Sequence, residues 1–218
     1  MHFCTMDISW IDELISQIKQ QDLLSIVGLV SGLLCVYYLI KQHIITWAWG
    51  ILYCLVSFVI FWRYQLYGDF ILHVIFLVLN IYGWFSWSRG DRRTDSELKV
   101  SNLTAYANMG FIILSGLSIY IFAQVLISVP SLFSSMEDAS VPYWDSTTTV
   151  LSVLAIWMQT KKYIENWYYW FVIDILATGI YWYKGIYFYS LLYFIYIFLA
   201  IAGYLAWRAS QKKQYLSS

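Results

Sequence analysis

The chain reads ENWYYWFVID from residue 165 to residue 174, inside an apolar run that predicts a membrane-spanning helix. At helical spacing Trp167, Trp170 and Asp174 fall at i, i+3 and i+7, so they project from one face. A carboxylate at membrane depth is costly unless it has a partner or a use. The pattern therefore predicts a site for an aromatic, positively charged small molecule.

Composition places the whole chain among polytopic membrane proteins. Of the 218 residues, 61% are hydrophobic, 21% aromatic and 12% charged, and the mean hydropathy is +0.61. The formal net charge is zero, which argues against nucleic acid as a partner. Cys4, Cys35 and Cys54 are odd in number and two of them lie in apolar runs, so we expect packing residues rather than disulfides.

Apolar runs predict an all-α protein with seven membrane helices. Residues 1–22 form an N-terminal segment. Its stretch 8–19 has apolar residues on one helical face and charged residues on the other, which predicts an amphipathic helix lying at the interface. The seven spans are predicted at 23–40, 44–62, 66–87, 106–129, 146–160, 167–183 and 186–207.

Basic residues predict the orientation. With the N-terminus outside, about ten Lys and Arg residues fall on the cytoplasmic side against about three outside. The three are Lys19, Arg63 and Lys184. The loop 130–145 carries acids and no Lys or Arg, as expected of an exterior loop. We therefore expect the N-terminus outside and the C-terminus in the cytoplasm.

The chain also contains an internal repeat. A shift of about 120 residues superposes two spans without a gap. The matched pairs are Trp47 with Trp167, Trp62 with Trp182, Tyr67 with Tyr187, Leu72 with Leu192, Gly83 with Gly203 and Trp87 with Trp207. Each unit holds three spans, so a single linker helix restores a parallel orientation, which predicts a 3+1+3 plan.

This plan divides the chain into consecutive parts. The N-terminal segment is followed by the first three-helix repeat, the cytoplasmic loop with the linker helix, the exterior loop, the second repeat and a cytoplasmic tail. Their predicted ranges are 1–22, 23–88, 89–130, 131–145, 146–208 and 209–218.

Two polar and aromatic stripes are the candidate substrate site. One lies on the third span and one on the sixth, and we expect the two to face each other across a central cavity. The candidate substrate-binding residues are His73, Asn80, Trp84, Trp167, Trp170, Asp174, Thr178 and Tyr181.

Structural alternatives remain for several of these residues. Trp167 could be an interfacial anchor, Asn80 could be interhelical glue, and Asp174 could pair with His73. Glu165 is interpreted as a loop residue that is ion-paired with Lys161 and Lys162.

No motif of an enzyme or of an ATP-driven pump is present. The sequence lacks Gly-x-Ser-x-Gly, His-Glu-x-x-His and a phosphate-binding glycine loop. Three histidines, one of them at position 2, do not favour a metal site. We expect no catalytic residues, no metal and no cofactor, and transport is the better interpretation.

Three sequence blocks resemble the PnuC family of bacterial vitamin transporters. They are KKYIENW at 161–167 with Trp170, NIYGW at 80–84 with Trp87, and PYWDS at 142–146. The resemblance extends from the first span to Trp207 and includes the pattern Trp-x-x-Trp-x-x-x-(Asn or Asp).

The resemblance implies a fold similar to the SWEET sugar carriers, a homotrimer in the bacterial inner membrane, and energy-independent uptake of an unphosphorylated vitamin. It also implies trapping by a cytoplasmic vitamin kinase, which is functionally coupled but not necessarily bound. Members that resemble the nicotinamide riboside carriers usually have Asn where this chain has Asp174. The acid favours thiamine, whose thiazolium is a fixed cation and whose aminopyrimidine can donate to a carboxylate.

The alternatives are nicotinamide riboside as the substrate, riboflavin as a further vitamin of the family, and a proton-coupled transporter that uses Asp174 as its relay. A membrane receptor or scaffold that transports nothing is a more distant one.

Overall fold

The computed structural model describes residues 9–63, 67–90, 98–132 and 142–216. Eight helices account for the regular structure of these ranges. They are α1 Ser9–Lys19, α2 Leu23–Ile40, α3 Ile45–Arg63, α4 Tyr67–Arg89, α5 Ala105–Leu132, α6 Pro142–Thr160, α7 Asn166–Tyr183 and α8 Tyr187–Leu216. A helix occupies each of the seven predicted spans, and α1 covers most of the stretch 8–19.

Five of the described helices are long and apolar enough to cross a membrane, namely α2, α3, α4, α5 and α8. Of the seven helices that occupy predicted spans, α6 and α7 fall short. The first turns of α6 are polar, and α7 carries Asp174. The buried polar residues Gln159 and Asp174 lie on these two helices.

Two helix ends differ from the predicted boundaries. The predicted exterior loop 131–145 is too long, because α5 continues to Leu132 and α6 already begins at Pro142. Proline suits a first helical position, where its missing N–H would be unpaired in any case. The Ser146 and Thr147 hydroxyls donate to the carbonyls of Pro142 and Tyr143 at 2.6 and 2.7 Å, so the polar run stays helical.

The first helix docks on the turn between α7 and α8. The side-chain amide of Gln17 donates to the Gly185 carbonyl at 2.8 Å and accepts from the Phe188 N–H at 3.0 Å. The Trp10 ring lies 5.6 Å from the Trp182 ring. One glutamine thus satisfies backbone groups on both sides of the turn.

A Cβ atom on Gly83 would lie 2.3 Å from Cη2 of Trp47, and a Cβ on Gly203 would lie 2.2 Å from Cη2 of Trp167. Only glycine permits so close an approach of indole to helix backbone. The turns also match, since Gln42 and Lys162 have φ angles of 56° and 53°.

In each unit a second indole packs against the first. Trp87 meets Trp47 edge to face at 5.2 Å, and Trp207 meets Trp167 edge to face at 5.6 Å. We call these four residues, Trp47, Trp87, Trp167 and Trp207, the tryptophan cluster.

Reciprocal contacts join the two units. The Trp87 Nε1–H donates to the Gln159 carbonyl at 3.3 Å, so α4 is tied to α6. The Trp207 Nε1–H donates to the Leu39 carbonyl at 3.0 Å, so α8 is tied to α2. Residues 39 and 159 are related by the same repeat shift. Such an exchange of equivalent contacts is what a two-fold relation produces.

The α5 helix packs on α6, where Phe111 lies 5.2 Å from Trp157. The segment before α5 forms a bridge with the loop between α6 and α7. Ser101 donates to the Lys162 carbonyl at 3.1 Å and accepts from the Ile164 N–H at 3.0 Å.

Glu165 lies beside this bridge. Its carboxylate accepts from the Leu103 N–H at 3.0 Å and makes no ion pair with either neighbouring lysine, so the predicted pairing is wrong. The side chain thus contacts the segment that precedes α5. Its burial raises the pKa of the Glu165 carboxyl.

Candidate substrate site

The predicted stripe of α7 faces the inside of the protein. Trp167 and Asp174 are only 2% and 4% exposed, and Trp170, Thr178 and Tyr181 are half-buried. The helical spacing that places these side chains on one face is therefore matched by their burial.

Trp167 and Trp170 have different surroundings. Trp167 is wedged between Gly203 and Trp207, and its Nε1–H has no hydrogen-bond partner among the described residues. Trp47 repeats this environment in the first unit. Trp170 instead donates its Nε1–H to the side-chain oxygen of Gln159 at 3.4 Å.

Gln159 was not a candidate from the sequence. It is 4% exposed and lies in the last turn of α6. The signal available in the sequence was a polar amide within the predicted span 146–160. Gln159 lies on a different helix from the α7 stripe, however, and its contact with Trp170 depends on tertiary packing.

Asp174 is a buried acid for which the described residues supply no counter-charge. Within the described ranges, no hydrogen bond or ion pair joins its carboxylate to another residue. Its backbone carbonyl accepts from the Thr178 hydroxyl at 2.7 Å, so that hydroxyl is committed to the helix. The carboxylate is thus available to an incoming cation or hydrogen-bond donor.

Tyrosines form the wall towards the other end of α7. Tyr181 stacks on Tyr193 at 5.3 Å and 14°, and Tyr193 meets Tyr196 edge to face at 5.8 Å. Tyr53 of α3 lies near Tyr196, since a Cβ atom on Gly32 would lie 3.0 Å from the Tyr196 hydroxyl and 3.7 Å from a ring carbon of Tyr53. Sequence reasoning missed Tyr53 and Tyr196, because both are single aromatic residues in runs already rich in them.

His73 belongs to an aromatic cluster of the first unit. It is 6% exposed, its Nδ1 lies 2.9 Å from the Asp69 carbonyl, and its ring lies 4.7 Å from Phe61 and 5.7 Å from Tyr53. It makes no ion pair with Asp174, so the predicted structural alternative for that acid is not observed.

Asn80 and Trp84 lie apart from this aromatic cluster. The Asn80 side chain donates to the Phe76 carbonyl at 2.8 Å, and its Oδ1 lies 2.0 Å from where a Cβ on Gly50 would be. Asn80 is therefore packed between α3 and α4. Trp84 is 39% exposed on the outer surface of α4.

The two predicted stripes are not in contact. Among the described residues α4 packs against α3 and α6, whereas α7 packs against α6 and α8. α6 therefore lies between the two stripes. By the repeat shift, the counterpart of α7 is α3 and not α4, so the two stripes do not occupy equivalent helices.

Two recesses open on the surface, away from these residues. One, of about 630 Å³, is lined by Phe58, Val59, Trp62, Arg63 and Phe70. The other, of about 590 Å³, lies along the end of α8 beside Arg208 and Lys212. No group of three or more His, Cys, Asp or Glu side chains that could hold a metal occurs in the described ranges.

A helical membrane protein with matched contacts in α2–α4 and α6–α8, and with an acid among aromatic side chains that is unpaired within the described residues, has the features of a small-molecule transporter. The chain matches the nicotinamide mononucleotide transporter family over residues 22–209. It belongs to this family, the PnuC family of transporters, and is thus a multi-pass inner-membrane transporter rather than an enzyme.

Named relatives cover most of the chain. The nicotinamide riboside transporter PnuC of Escherichia coli is 29% identical over 95% of this chain and 89% of its own length. The riboflavin/roseoflavin transporter RibM of Streptomyces davaonensis is 24% identical over 83% of this chain and 82% of its own length. The crystal structure of the vitamin B3 transporter PnuC has the same fold, with a TM-score of 0.66, 21% identity and coverage of 94% of this chain and 91% of that chain.

Proposed function

We propose that the protein carries an unphosphorylated, cationic, water-soluble vitamin into the cell by facilitated diffusion. The observation that supports this most strongly is the Asp174 carboxylate, which is buried without a counter-charge within the described residues. A permeant aromatic cation would supply the missing charge.

The roles of the site residues follow from their surroundings. Trp170 stacks on the aromatic ring of the vitamin, Asp174 binds its charge or its N–H donors, and Tyr181 forms the outer wall. Trp167 belongs to the core against which Trp170 packs, so it supports the stacking residue. Thr178 completes the α7 stripe.

The first unit contributes less to this site. We assign His73 to the aromatic wall of that unit and Asn80 to helix packing. Trp84 is exposed and has no part in the proposed site.

Thiamine is our proposed substrate. Its thiazolium is a fixed cation, and its aminopyrimidine N–H groups match a carboxylate acceptor. Nicotinamide riboside is the second candidate, because its pyridinium is cationic as well and because relatives such as the Escherichia coli protein carry that name. Riboflavin, named for the Streptomyces relative, lacks a fixed positive charge.

The proposed architecture is a 3+1+3 arrangement similar to that of the SWEET carriers. The three-helix units α2–α4 and α6–α8 lie parallel, and α5 links them. The reciprocal Trp87 and Trp207 bonds support a pseudo-two-fold axis along the membrane normal. The polar helices α6 and α7 also cross the membrane in this arrangement, shielded by their neighbours.

The excess of Lys and Arg where α2, α4, α6 and α8 end supports a cytoplasmic C-terminus and an exterior N-terminus. We further propose a homotrimer, and trapping of the vitamin by a cytoplasmic kinase. A proton-coupled mechanism through Asp174 is the competing hypothesis.

Transport in proteoliposomes tests the passive mechanism. With labelled thiamine and no ion gradient, uptake should stop at equal concentrations inside and out, and it should rise when a thiamine kinase and ATP are enclosed. Accumulation above equality that depends on a proton or sodium gradient would replace the uniporter with a coupled carrier. A titration with thiamine, nicotinamide riboside and riboflavin then ranks the substrates.

A further inference from the structure

The second unit contains a side-chain contact that the first lacks. The carbonyls of Leu39 and Gln159 make equivalent bonds with Trp207 and Trp87, so the backbone contact is common to both units. Only Gln159 adds a side-chain bond, from its amide oxygen to Trp170. In the first unit the counterparts of Gln159 and Trp170 are Leu39 and Gly50, which can make no such bond.

Helix packing alone does not require glutamine at this position. Leu39 fills the equivalent place, is 3% exposed and serves the same backbone contact. A buried amide costs free energy unless its polar atoms are bonded. Among the described residues, the side chain of Gln159 has one hydrogen-bond partner, the Trp170 Nε1–H. Gln159 and Trp170 therefore depart from the repeat together.

On the basis of the proposed function, we propose that Gln159 is a substrate-positioning residue that orients the Trp170 indole for stacking on the vitamin. The Nε1–H lies in the plane of the indole. A bond to it restricts rotation of the ring and leaves its faces free, and aromatic stacking depends on that orientation. Asp174 follows Trp170 by one helical turn on the same face, so a fixed indole plane also fixes the ring of the ligand relative to the carboxylate.

The contact is held from the first unit as well. The Trp87 bond fixes the backbone of Gln159, and the Ser86 hydroxyl donates to the next carbonyl, that of Thr160, at 3.0 Å. The amide that orients Trp170 is therefore anchored to α4, across the boundary between the units. At 3.4 Å the Gln159–Trp170 bond is long, and exclusion of water by a bound ligand would strengthen it.

The test replaces Gln159 with the residue that the first unit uses. Gln159→Leu should weaken thiamine binding about tenfold, since one oriented hydrogen bond is lost. In a Trp170→Phe background, which has no indole N–H, the same replacement should cause no further loss. Gln159→Met is the second variant if the leucine protein does not fold. Leu39→Met is the matched control and should leave binding unchanged, because the Leu39 contact to Trp207 is made by the backbone.

Fluorine NMR of fluorotryptophan-labelled protein shows which indole responds to the replacement. The Trp170 signal, assigned from Trp170→Phe, should shift in Gln159→Leu, while the Trp207 signal should remain in place. Unchanged affinity in both Gln159 variants would overturn the inference, as would a full loss in the Trp170→Phe background. If the wild-type protein bound none of the three vitamins, the proposed function itself would fail.

Discussion

The units α2–α4 and α6–α8 share a framework of tryptophans and glycines and differ in the side chains of their second helices, α3 and α7. The tryptophan cluster and the glycines against which it packs are the same in both units. On the helices α3 and α7, by contrast, Gly50 and Cys54 of the first unit correspond to Trp170 and Asp174 of the second. Positions that obey the repeat build the scaffold, whereas positions that depart from it carry the proposed site.

A complementary exchange of volume accompanies this difference. In the first unit Asn80 fills the space over Gly50. In the second unit the counterpart of Asn80 is Ala200, which is 3% exposed and belongs to the core against which Trp170 packs. The large side chain has moved from the third helix of the unit to the second. The Asn80 amide thus fills the first unit at the place where the second unit has the Trp170 indole.

The largest expected effect tests the equivalence of the scaffold. Trp47→Ala and Trp167→Ala should destabilise the protein by similar amounts, about 3–5 kcal/mol each, because each leaves a cavity in the same environment. Thermal unfolding in detergent measures this. Trp144→Ala, at a half-exposed position of α6, is the control and should change stability little. A large effect of only one of the two core variants would break the comparison.

The glycines of the scaffold give the next largest effect. Gly83→Ala and Gly203→Ala place a methyl group within 2.3 and 2.2 Å of an indole carbon, so each should cost about 1–3 kcal/mol through overpacking. Gly179→Ala has open space around its Cβ and is the control. Equal stability of all three variants, measured by unfolding in detergent, would contradict the close packing of these rings.

The difference between the units is tested by vitamin binding. Trp170→Ala should weaken thiamine binding by about 0.5–2 kcal/mol, since a stacking and cation–π contact is lost. Titration calorimetry on the folded variant measures this, and Trp144→Ala should bind as the wild type does. Wild-type affinity of Trp170→Ala would reduce Trp170 to a packing residue.

The smallest effect concerns the boundary between the units. Trp87→Phe and Trp207→Phe each remove one indole N–H bond and keep an aromatic ring, so each should cost about 0.5–1.5 kcal/mol. The two losses in unfolding free energy should be alike, because the bonds are equivalent. Losses that differ by more than this range would indicate that the reciprocal contacts are unequal in energy.

Much of the fold was predictable from one sequence. Apolar runs of about 20 residues predict spans, and the matched Trp47, Gly83 and Trp87 predict the repeat, because their register is preserved without a gap. The start of α6 was missed. Pro142 and Asp145 look like loop residues in a hydropathy profile, although proline suits a first helical position and Asp145 lies in the first turn of α6.

The candidate site was only partly predictable. Spacing places the α7 residues on one face, and their burial agrees with it. Spacing cannot tell which helix lies opposite. Among the described residues α4 and α7 do not pack against each other, and Trp84, which was predicted to line the cavity, is exposed. Gln159 and Tyr53 were missed for the same reason, since their importance arises from contacts between helices.

The central claim is that Asp174 binds the charge of a vitamin, and the thiamine affinity of Asp174→Asn tests it most directly. The matched variant in the first unit is Cys54→Ser. The account predicts that Asp174→Asn folds, loses about 1.5–3 kcal/mol or one to two decades of thiamine affinity, and shifts its preference towards nicotinamide riboside, while Cys54→Ser binds as the wild type does. Unchanged thiamine affinity and preference in Asp174→Asn would contradict the account and would leave the assignment of thiamine without support.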